Sequence, residues 1–177
     1  QQGYHLVGHS CGGAIALKMA IEAPQSILSL SLYEAVAFHL IEPANQGNGM
    51  VQEFASKIAG LPPVEAACAF VDYWNGDGFF ANLPKASQQV MANGMAKVNL
   101  DFKGIFSEQY PLSSLLEVTC PSMVIIGEYT TPLSKQLSSE IAQYLPRSEK
   151  VMVSTGQMGP ISHPHLVEPI IQDFIAQ

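Results

Sequence analysis

The pentad Gly8-His9-Ser10-Cys11-Gly12 carries the residues of this chain best suited to chemistry. A serine two residues from glycine on each side, between an apolar stretch and a run of small residues, suits a hydroxyl nucleophile on a strand-to-helix turn. Tyr4–Val7 reads as a short buried strand, and Gly12–Glu22 as a helix that begins at once. The turn between them strains the backbone at its apex. Ser10 therefore needs small neighbours two residues away, and Gly8 and Gly12 supply them. The hydroxyl would then stand clear of the sheet, with the backbone N–H of Cys11 aimed where an oxyanion forms during acyl transfer. The plain alternative is a glycine-rich turn that merely contains a serine. The strand before it and the Gly12-Gly13-Ala14 helix start after it favour the nucleophile.

Four short apolar segments read as parallel strands that could hold such a turn: 4–7, 27–33, 122–126 and 150–153. In the second, Leu28, Leu30 and Leu32 alternate with Ser29, Ser31 and Tyr33, and the small serines would admit a helix close to the sheet. Leu133, Leu137, Ile141 and Leu145 form one helical stripe, begun by Thr131 as N-cap and Pro132 in the first turn. Leu166, Val167, Ile170, Ile171, Phe174 and Ile175 predict a core-facing final helix. Strands alternating with helices imply an α/β architecture with a parallel sheet of about four strands flanked by helices. Between Phe38 and Glu108 the pattern turns helical, over 50–59, 64–74 and 86–106. The breaks are the expected loop Asn45-Gln46-Gly47-Asn48-Gly49, the pair Pro62-Pro63, and Asn75-Gly76-Asp77-Gly78. This block reads as a helical cap inserted over the carboxyl ends of the strands. The organisation is then 1–37 core, 38–108 cap insertion and 109–177 core.

Composition narrows the partners. The chain has 177 residues, 47% hydrophobic and 13% charged, enough for one sizeable core. Its mean hydropathy of +0.17 is high. No apolar run approaches the ~20 residues of a membrane span, so buried sheet accounts for it. A net charge of −7 argues against nucleic acid and anionic membranes as partners. The three cysteines, Cys11, Cys68 and Cys120, are widely spaced and odd in number, which suits a reducing, cytoplasmic setting. Asp72, Asp77 and Asp101 are too scattered for a metal cluster, so no metal or cofactor is expected.

The segment Tyr4–Gly13 (Tyr-His-Leu-Val-Gly-His-Ser-Cys-Gly-Gly) resembles the nucleophile elbow of α/β-hydrolase-fold enzymes. Cys120-Pro121-Ser122-Met123-Val124-Ile125-Ile126-Gly127 resembles their next-to-last core strand. Gly156-Gln157-Met158-Gly159-Pro160, followed by His163, resembles the loop after their last strand. The resemblance implies a partial α/β-hydrolase fold comprising the C-terminal portion and cap. The family's opening strands have no counterpart here, nor does the loop that donates the second oxyanion-hole N–H. A fragment of a longer hydrolase, lacking its N-terminal half, is the expectation, with a rearranged small homologue as the alternative.

By the same resemblance, two positions depart from the Ser-His-acid triad. Thr130 stands where the family usually carries the acid. The resemblance offers Glu34, just past the strand beside Ser10, as the substitute, and Glu128 as a lesser one; a strand-end Glu that simply accepts backbone N–H bonds is the ordinary alternative. Gln157 stands at the usual His position. An amide cannot take and return a proton near neutral pH, so general-base help is lost there. His163 and His165 follow on the same loop and could stand in only if that loop folded back. His9 is expected to pack, His5 to be a satisfied core histidine, and His39 to line the pocket. The value of Cys11 is its backbone N–H. Phe70, Tyr73 and Trp74 are spaced as a core stripe.

The resemblance therefore implies a serine hydrolase acting on a small apolar ester, lactone or related acyl compound held under the cap, impaired by Gln157. A catalytically silent binding or scaffold protein on the same fold is the rival.

Overall fold

The computed structural model describes residues 3–42 and 46–177. Four strands, β1 (Tyr4–His9), β2 (Ile27–Tyr33), β3 (Ser122–Gly127) and β4 (Ser148–Val153), form one sheet in the order β1-β2-β3-β4. Every neighbouring pair is parallel. Helix α1 (Cys11–Glu22) crosses from β1 to β2, and α5 (Pro132–Tyr144) from β3 to β4. The helices α6 (Gly159–Ser162) and α7 (Pro164–Ile175) close the chain. Between β2 and β3 lie α2 (Gln46–Ala59), α3 (Pro63–Asn75) and α4 (Lys85–Ser107). The chain divides into two compact units: Gln1–Leu40 with Gln109–Gln177, and Ile41–Glu108. The first holds the whole sheet; the second is helical throughout its described secondary structure.

The central strands are the most apolar because both of their faces are covered. All of β3 is buried, as are Leu30, Leu32 and Tyr33 of β2. Met123, Ile125 and Val153 meet Val167 and Phe174 of α7 in one cluster. Helix α5 starts as its sequence dictates: Thr131 Oγ1 accepts from Ser134 N at 3.2 Å, and Pro132 occupies the first turn, where no N–H is needed.

Two local expectations are corrected. First, β1 is an edge strand rather than a buried one. Tyr4 is 46% and Val7 53% exposed, and His5 is exposed with Nδ1 2.7 Å from Ser29 Oγ, so it is no core histidine. Second, Gln46 to Gly49 form the first turn of α2 rather than a loop; Asn45 lies outside the described residues. On β2, Ser29 and Ser31 are buried and Leu28, near the strand's start, is exposed. Asn48 Nδ2 donates to Ile41 O at 2.8 Å, a side-chain-to-backbone bond that the local sequence pattern did not reveal.

Candidate active site

Ser10 sits between β1 and α1 with φ 54° and ψ −121°. A positive φ is costly for a residue with a Cβ, by about 1–3 kcal/mol. Its backbone is held on three sides. Ser10 N donates to Tyr33 O at 3.0 Å, and Ser10 O accepts from Gly13 N and from Val36 N. Packing decides which glycines allow this turn. A Cβ on Gly8 would lie 2.6 Å from Gly12 O and 2.7 Å from Gly13 Cα. A Cβ on Gly13 would lie 2.8 Å from Ala35 Cβ. Gly12 faces open space, so the expected demand for a small residue falls on Gly8 and Gly13 instead. Cys11 is the first residue of α1, at the end of a helix where the dipole favours negative charge.

Glu34 follows β2 directly, also at positive φ (43°), and is 1% exposed. Its Oε1 accepts from Gly127 N at 2.8 Å and its Oε2 from Thr130 Oγ1 at 2.6 Å. Thr130 is thereby brought to the carboxylate as a hydrogen-bond donor. Burial pushes the Glu34 carboxyl up; Thr130, the Gly127 N–H and the Lys135 charge oppose that rise. Glu128 lies outside this arrangement: it is exposed and accepts from Ser154 Oγ at 2.8 Å.

Gln157 is 2% exposed, and neither side-chain polar atom finds a partner among the described residues. Its backbone O accepts from His9 Nε2 at 2.8 Å, which fixes the tautomer of His9 with the proton on Nε2. Burial holds His9 below its ordinary imidazole value, against the opposing pull of that carbonyl. The preceding loop is pinned as well. Tyr33 Oη donates to Gly156 O at 2.8 Å, so Thr155 Oγ1, 2.5 Å away, donates to the phenol oxygen. Tyr129 N donates to Thr155 O at 2.9 Å. The ring of Tyr33 also meets His9 edge-on, with centroids 5.5 Å apart.

The structure thus gathers Ser10, Glu34, Thr130 and Gln157 at the carboxyl ends of adjacent strands and leaves His163 elsewhere. His163 precedes α7, is exposed, and places Nδ1 2.8 Å from Ser162 Oγ; His165 is exposed beside it. His39 packs against Tyr110, with centroids 4.4 Å apart. Tyr33 and Thr155, which hold the 155–157 loop, escaped the sequence reading because Tyr33 reads as an ordinary strand residue. Among the described residues no group of His, Cys, Asp or Glu could hold a metal ion, and no helix is long and apolar enough to cross a membrane.

Solved structures share this fold. A hydrolase from Pseudomonas aeruginosa PA01 superposes with a TM-score of 0.76 at 22% identity, covering 99% of this chain and 66% of that one. The enol-lactonase from Burkholderia xenovorans LB400 gives a TM-score of 0.69 at 15% identity, covering 99% of this chain and 66% of that one. Among curated proteins, the dihydrolipoyllysine-residue acetyltransferase component of the acetoin cleaving system of Cupriavidus necator is 50% identical over 34 residues, 19% of this chain and 9% of that protein. The chain spans just under two thirds of the length of these solved structures. The alpha/beta hydrolase fold family matches residues 1–164, nearly the whole chain. With a parallel sheet, a strained serine between strand and helix, and a match of that extent, the chain belongs to the alpha/beta hydrolase fold family.

Proposed function

We propose that this chain carries the serine-nucleophile half of a carboxylic ester hydrolase whose proton-transfer step is impaired. The observation that carries this reading is the positive φ of Ser10 at the β1–α1 turn, a strained conformation maintained by tightly packed glycines. Ser10 Oγ attacks the carbonyl carbon of a small apolar ester or lactone, and the electron pair of the C=O bond moves to oxygen. The Cys11 N–H at the start of α1 stabilises that oxyanion. Collapse expels the alcohol and leaves an acyl-Ser10, which water then hydrolyses. Glu34 would orient a base at position 157, but Gln157 cannot accept the Ser10 proton, so it must pass to solvent and both steps are slow. The enol-lactonase among the structural relatives makes lactones a natural first substrate to try. No cofactor enters this scheme.

The exposed apolar residues of β1 support a further element of the proposal: an N-terminal half of the same fold covers that edge and donates the second oxyanion N–H. A second reading, a silent binding protein, is favoured by one observation, the fully buried amide at the base position. A fluorophosphonate probe separates them. Stoichiometric labelling of Ser10, abolished by heat denaturation and by Ser10→Ala, is the expected result. No labelling of the folded chain refutes an activated nucleophile and leaves the silent reading.

A further inference from the structure

The titratable groups gathered at the carboxyl ends of the strands are each tied to a neighbour. Glu34 is buried, with Oε1 accepting from Gly127 N and Oε2 from Thr130 Oγ1. His9 donates its Nε2–H to Gln157 O and meets Tyr33 edge-on, while Tyr33 Oη donates to Gly156 O. The amide of Gln157, at the base position, does not titrate, and both of its polar atoms are sealed from solvent. A water therefore has no room beside that side chain from which to relay a proton. His163 is exposed and bonded to Ser162, and His165 is exposed beside it.

A missing base does not slow the two halves of ester chemistry equally. Acylation of Ser10 by an aryl ester or a thioester needs one proton transfer, from Ser10 Oγ. The aryloxide or thiolate departs with the bonding electron pair and needs no proton. Breakdown of the acyl-enzyme needs two transfers: the attacking water must lose a proton, and Ser10 Oγ, a poor leaving group as alkoxide, must regain one. Each positioned transfer contributes about 10²–10⁴ in rate. Formation lacks one such factor and breakdown lacks two, so acyl-Ser10 forms about 10²-fold or more faster than it decays. We infer that this chain is a stoichiometric acceptor of acyl groups from activated donors. The acyl carbon bonds to Ser10 Oγ, the donor's C–O or C–S bond breaks, the Ser10 proton passes to solvent, and the new ester persists. An alkyl ester is not captured, because its alkoxide also needs a proton and acylation then lacks both factors. This inference rests on Ser10 as the nucleophile, as proposed above.

The full chain is mixed with p-nitrophenyl butyrate, with the butyryl thioester of N-acetylcysteamine, or with ethyl butyrate, and followed by nitrophenolate release and intact-protein mass spectrometry. The expected result is a burst of one equivalent, then release slower by about 10²-fold or more. The mass should rise by one butyryl group, mapped to Ser10, with both activated donors; ethyl butyrate and Ser10→Ala should give none. Gln157→His should turn the burst into sustained turnover. Steady release of many equivalents without an adduct, on a chain whose Ser10 takes a fluorophosphonate, overturns this inference and leaves the nucleophile in place. Equal capture from ethyl butyrate overturns it as well. A folded chain that takes neither fluorophosphonate nor butyryl refutes both the nucleophile and the acceptor role.

Discussion

Gln157→His is the substitution that most directly probes the site. The new imidazole would enter a backbone already fixed: the residue 157 carbonyl is held by His9 at 2.8 Å and the Gly156 carbonyl by Tyr33 at 2.8 Å. Position 157 is 2% exposed, so the ring would be shielded from water. Glu34 accepts two hydrogen bonds, from Gly127 N and Thr130 Oγ1, which leaves about two of a carboxylate's roughly four lone-pair sites to orient the ring. A positioned general base contributes about 10²–10⁴ in rate. That range corresponds to about 3–5 kcal/mol of barrier. Sharing Glu34 with Thr130 places the expected gain toward the lower end. The assay is kcat/KM for p-nitrophenyl butyrate across pH, read together with a melting curve. The gain should bring a new pH limb near the ordinary imidazole value of about 6.5, and Ser10→Ala in the same background should remove it. A folded Gln157→His protein whose Ser10-dependent rate matches wild type would refute the argument that position 157 serves Ser10.

Other outcomes follow from the same contacts. Gly8→Ala should cost about 1–3 kcal/mol by urea denaturation, since its Cβ would meet backbone at 2.6 Å; Gly12→Ala, facing open space, should be neutral or stabilising. Ser10→Gly should stabilise by about 1 kcal/mol through relief of positive φ, and a loss of stability instead would contradict the strain. Glu34 holds its proton more tightly folded than unfolded. Its contribution to stability is therefore fully present below the ordinary glutamate value of about 4.3 and is lost as pH rises through its higher folded value. Glu34→Gln should flatten that part of the stability–pH curve, and an unchanged slope would contradict the raised carboxyl. Val7→Lys should raise solubility while altering stability by no more than about 0.5 kcal/mol, as expected for a charge on an exposed edge strand; equal turbidity on concentration would count against a sticky edge.

Local pattern was enough for much of this protein. The Gly-x-Ser-x-Gly turn, the alternation of strand and helix, and the Thr131-Pro132 helix start are written within a few consecutive residues, because strand and helix periods and capping act over that range. Element ends shifted by a few residues, as with α2, where a polar glycine-containing stretch joined the helix. What tertiary structure decided lies in contacts across long stretches of chain. Thr130 reaches Glu34 over 96 residues and His9 reaches Gln157 over 148, and no local pattern encodes such pairings. The same holds for the choice between Gly12 and Gly13, made by Ala35 pressing against α1 from beyond the next strand. Chemistry at this site was legible as residue types in the sequence. Which atoms those residues meet, and so whether Glu34 faces a threonine or a base, is set only when the ends of four parallel strands are brought together.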